Sequence, residues 1–99
     1  MSDYAQELRR HARIAILRFV EDAPRYTTNV SMLATLLPRV GIQYTRDQIT
    51  TEAHWLKEQG LIEVTETGDF IVLVGTNRGI EIAQGIAVHP EIKRPRPEV

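Results

Sequence analysis

Between Thr45 and Val74 the chain changes its periodicity once, from helical to alternating, across a single glycine. Thr45 and Gln48 have the spacing of a capping box, in which the hydroxyl accepts a first-turn N–H and the amide reaches back to the cap. Ile49, Ala53 and Leu56 then recur at helical spacing with Trp55 on their flank. Gly60 supplies the left-handed residue that closes such a helix. Two strands follow at once. Ile62, Val64 and Glu66 fall on one side of the first strand, and Glu63 and Thr65 on the other. Thr67, Gly68 and Asp69 supply turn chemistry. The unbroken apolar run from Phe70 to Val74 predicts a second strand covered on both faces.

The flanking segments are helical. A first helix is expected from about Asp3 to Glu21, with its stripe at Leu8, Ala12, Ala15, Ile16, Phe19 and Val20. Ile14 and Leu17 fall outside that stripe. Either the helix is wrapped on two sides by its own domain, or these two residues meet a partner. Pro24 ends the helix. A second helix begins near Asn29, capped by Thr28 or Asn29, and buries Val30, Leu33, Ala34 and Leu37 before Pro38 and Gly41 close it. Thr76 caps a last helix, Asn77 to about Val88, with Ile80, Ala83 and Ala87 on one line and Ile82 and Ile86 beside it. Residues 25–28 or 42–44 could add a short third strand.

The segment after Val88, HPEIKRPRPEV, has three prolines and no pattern, and is expected to be flexible. The domain therefore spans residues 1–88 and the tail 89–99. The order helix, helix, helix, strand, strand, helix is too short for βαβ units. It fits an α+β, mainly α, winged helix-turn-helix.

Composition narrows the function. Ninety-nine residues make one domain. No cysteine means no disulfide and no thiolate site. No apolar run reaches membrane-spanning length, and the N-terminus lacks the apolar core of a signal peptide, so a cytoplasmic location is expected. His11, His54 and His89 are scattered with no carboxylate at metal-ligand spacing, there is no Gly-rich phosphate loop, and Ser2 and Ser31 lie in no nucleophile motif. Neither an enzyme nor a cofactor is expected. Net charge is −1, where a DNA-binding domain usually carries a basic excess.

The stretch TRDQITTEAHWLKEQGLIEV resembles the recognition helix and first wing strand of bacterial winged-helix regulators of the MarR and ArsR type. Thr76 and Gly79 are similar to the Thr-x-x-Gly that opens their last helix. More closely, the chain resembles a group of small winged-helix proteins of Mu-like bacteriophages and prophages. The residues that carry this are Arg46, Asp47, Gln48, Trp55, Leu56, Gln59, Gly60 and Leu61, with Lys93 to Pro97. The stretch from Pro38 to Tyr44 is longer than a strict helix-turn-helix turn, and Glu66 and Asp69 stand where DNA-binding wings usually carry cations.

The resemblance implies a small phage transcriptional regulator that binds double-stranded DNA non-covalently, and the surplus apolar surface adds the expectation of a homodimer. The third helix would present Arg46, Gln48, Thr50, Thr51, His54 and Lys57 to base edges and phosphates. Lys93, Arg94 and Arg96 would follow the phosphate backbone. Arg9, Arg10 and Arg13 are expected outside on the first helix. The competing class is an adaptor that binds protein within a phage complex, through Ile14 and Leu17.

Overall fold

The computed structural model describes residues 3–95. It is mixed α and β and mainly helical, with four α-helices and one three-stranded antiparallel sheet.

Helix α1, Asp3–Asp22, is apolar over more than half its circumference, so periodicity alone does not select its inner side. The buried arc runs through Ala12, Arg13, Ile14, Ile16, Leu17 and Val20. Only part of the expected stripe is inside: Leu8, Ala15 and Phe19 pack against the rim of the core and stay half-exposed. Ile14 and Leu17, expected either inside or on a partner face, are 7% and 0% exposed and belong to the core. α1 meets α4 and the sheet on that side, which accounts for their burial.

After Pro24 the backbone passes through Arg25 and Tyr26, both at φ 56, and enters strand β1, Thr27–Asn29. Asn29 ends β1 and caps α2, Val30–Leu36, its side-chain oxygen accepting from Met32 N at 2.7 Å. α2 ends before Pro38, as expected, and the proline begins the next segment. It occupies an early position of a 3-10 turn, Leu37–Val40, where a missing N–H costs nothing.

Helix α3, Arg46–Glu58, has the capping box expected for it. Gln48 N donates to Thr45 Oγ1 at 3.1 Å, and Thr45 N donates to Gln48 Oε1 at 2.8 Å. Strands β2, Ile62–Thr67, and β3, Phe70–Gly75, form the hairpin, paired from Ile62 with Gly75 to Thr67 with Phe70. β1 pairs antiparallel on the other side of β3, giving the order β1-β3-β2 and supplying the third strand from one of the two segments expected. β3 is central in the sheet, yet only Leu73 is buried and Phe70 is 60% exposed. α1 and α2 pack against β3, but Leu73 alone of its residues enters the buried core, so the cover expected on both faces is not found.

Helix α4, Asn77–Ala83, is shorter than the sequence suggests. Gly85 at φ 82 turns the chain although Ile86 and Ala87 continue the helical pattern. The Thr76 hydroxyl accepts from Gly79 N at 3.1 Å and donates to Gly60 O at 2.8 Å, fastening α4 to the end of α3. Gly79 is required there, since any Cβ would run into the Leu61 carbonyl oxygen. The following segment is not a free tail. Ile92 is 1% exposed, and Lys93 N donates to Arg10 O at 3.3 Å. Residues 89–95 therefore pack on α1, held by one apolar anchor and backbone bonds.

Candidate nucleic-acid interface

Helix α3 is set by α2 on one side and β2 on another, which leaves an outward arc. At about 100° per residue, Arg46, Thr50 and Lys57 fall within roughly 40° of one another along one edge of that arc. His54, Asp47, Glu58 and Thr51 follow over roughly the next 100°. Arg46, Thr51 and Lys57 are exposed, and Thr50 is half-buried. The helix thus offers two cations and two hydroxyls, with Asp47 and Glu58 beside them.

Two of the six expected contact residues on α3 have other partners. Gln48 is exposed, but its amide oxygen is committed to the capping box. His54 is half-buried, with Nε2 at 3.5 Å from Glu66 Oε2, so it ties α3 to the hairpin. That contact draws one hairpin carboxylate against α3. Glu63 and Asp69 remain exposed on the hairpin.

The third acid of α3 points inward. Glu52 Oε1 accepts from Arg13 Nε at 2.7 Å in a buried ion pair joining α3 to α1. Arg13, expected outside with Arg9 and Arg10, is the correction that matters most here. Its Nη1 donates to Glu91 O at 3.0 Å, and its guanidinium lies 3.7 Å from the Trp55 ring centroid. His89 packs edge-on against Trp55, with ring centroids 5.2 Å apart. Its Nδ1 accepts from Glu91 N at 3.0 Å, which leaves the ring proton on Nε2 to be donated to Gln59 Oε1 at 3.0 Å. Sequence reasoning missed this cluster. The available signal was Glu52 itself, a carboxylate between Ile49, Ala53 and Leu56 on the inward arc, which calls for a cation from another element. With Glu52 neutralised inside, the exposed charges of α3 are Arg46 and Lys57 against Asp47 and Glu58, a balance of zero.

Tyr44, just before α3, is half-buried beside the same pair. Its phenol is pushed above the ordinary value of 10.0, first by burial and then by Glu52, with Arg9 and Arg13 opposing.

The basic segment is placed apart from α3. Lys93 and Arg94 line a groove of about 700 Å³ along α1 to which no α3 residue contributes. Arg96 lies outside the described residues. Among the described residues no group of His, Asp and Glu could hold a metal ion, and no helix is long and apolar enough to cross a membrane.

No family model and no solved structure matches the chain. It is similar to the uncharacterized protein gp26 of Escherichia phage Mu, with 36% identity over 85 residues that cover 86% of this chain and 88% of that protein.

Proposed function

The chain belongs to the family of phage Mu gp26, and we propose that it is a winged helix-turn-helix DNA-binding protein of Mu-like phages or prophages, a non-enzymatic regulator of transcription. The observation that carries this reading is the inward turn of Glu52. It removes one carboxylate from the presented surface of a capped helix that stands beside a β-hairpin. Arg46 and Lys57 then lie along one edge of α3 with Thr50, ready for phosphate and base-edge contacts, and Thr51 follows on the outward arc. Gln48 acts here as a cap and His54 as the link to the hairpin. Lys93 and Arg94 serve phosphates flanking the main contact.

The test is fluorescence anisotropy with labelled random and phage duplexes at about 50 and 200 mM salt. Two to three phosphate contacts predict affinity falling roughly 10- to 40-fold between those salts. Arg46→Ala should weaken binding about 10-fold. Absence of saturable binding by folded protein at the lower salt would overturn the reading.

A second reading has its own support. The hairpin exposes Glu63 and Asp69 together with Phe70, a surface better suited to a protein than to a duplex. On that reading the domain is an adaptor in a phage complex, and its binding would persist at 200 mM salt.

A further inference from the structure

The groove of about 700 Å³ follows α1 and is completed by the Val40–Ile42 turn and by residues 93–95. The α1 residues that line it repeat at three- and four-residue intervals from Tyr4 to Asp22. Tyr4 is 79% exposed at one end, and the large apolar side chain of Val40 is exposed beside the groove.

The stripe has three parts. At about 100° per residue, Glu7 and Arg18 share one edge within roughly 20°, and Leu8 and Phe19 share the other within roughly 20°. Tyr4, His11, Ala15 and Asp22 run between them. A two-fold axis that exchanges two antiparallel helices sets each edge against its own counterpart. Centred between residues 12 and 13, it brings Glu7 opposite Arg18 of the second copy. It also brings Leu8 beside Phe19, bulky His11 against small Ala15, and the Tyr4 hydroxyl within reach of Asp22. Opposite charges, apolar edges and large-against-small packing are all satisfied by one register.

We propose that this groove seats a second copy of the chain, with the two α1 helices antiparallel about a two-fold axis and reciprocal Glu7–Arg18 pairs closing one edge. Glu7 now sits 3.6 Å from Arg10 and 3.7 Å from His11 along its own helix. Such exposed pairs are weak enough to exchange for an intermolecular one. The 20 residues of α1 span about 30 Å, most of the 36 Å long dimension of the molecule, so the contact has room for the area a stable dimer needs. α3 contributes nothing to this groove, so the pairing leaves Arg46 to Lys57 accessible, whereas Lys93 and Arg94 line it and would be shared between the second copy and a duplex.

Sedimentation equilibrium of the full chain tests it without DNA. The wild type should have twice the 11.3 kDa chain mass at micromolar concentration. Glu7→Arg and Arg18→Glu each create two like-charge contacts and should weaken self-association on the order of tenfold. Mixed in equal amounts, the two variants restore both opposite pairs and should form heterodimers with wild-type affinity, with circular dichroism confirming that each is folded. A wild type that stays monomeric, or single variants that dimerise unchanged, would overturn the proposal. So would a mixture that fails to recover.

Discussion

Arg13 and Glu52 determine which side of α1 faces inward. Arg13 reads as a surface charge by itself and Glu52 as an inward carboxylate whose partner the sequence does not show, and only their convergence from α1 and α3 makes burial tolerable. Truncating one partner leaves the other charge uncompensated, so Glu52→Ala should lower stability to urea by about 3–5 kcal/mol. Arg13→Met with Glu52→Leu should cost far less than either single truncation, because both charges leave together. A Glu52→Ala protein within about 0.5 kcal/mol of wild type in urea, a margin typical of surface changes, would contradict this account. Tyr44 reports on the same neighbourhood. Its phenol is raised when folded, so the stabilisation linked to it is complete below pH 10.0 and is lost as pH rises through the folded value. Ultraviolet titration of the folded protein should place the Tyr44 midpoint above the ordinary phenol value of 10.0. Neither pairing was legible in the chain, since spacing within one helix carries no information about what another helix places opposite it.

Elements whose signals are local were legible, and those fixed by tertiary contact were not. The ends of α3 follow from Thr45, Gln48 and Gly60, which act within a few residues of themselves. The cap at Asn29, one of the two residues expected, and the hairpin turn at Gly68 and Asp69 are of the same kind. The end of α4 was hidden because Ile86 and Ala87 keep the helical period beyond Gly85, and Ile86 ends up exposed. The packed segment after it was hidden by its own composition. Three prolines and several charges outweigh the single isoleucine that anchors it. Ile92→Ala should therefore cost about 2–5 kcal/mol, the range for a core residue, read as a fall in urea midpoint. A change within 0.5 kcal/mol, as at a surface site, would mean that residues 89–95 are a free tail after all.

For the whole molecule, the order of helices and strands was readable because hydrophobic period and turn chemistry agree along the chain. The outward residues of α3 were also mostly readable, as was the capping role of Gln48, whereas the contact of His54 with the hairpin forms only in the fold. Net charge is a sum over surfaces that the fold separates. The balance of −1 averages a neutralised interior pair, an acidic hairpin and basic positions on α1 and the closing segment. What matters for a polyanion is the surface that α3 presents, and that surface is neutral overall with its cations on one edge. The measurement that tests nucleic-acid binding most directly is an amide NMR titration of the full chain with a short duplex at low salt. The account predicts shift changes concentrated on Arg46 to Lys57 and reduced in Arg46→Ala. Changes confined to the hairpin or the α1 groove, or none at all at saturating duplex, would contradict it.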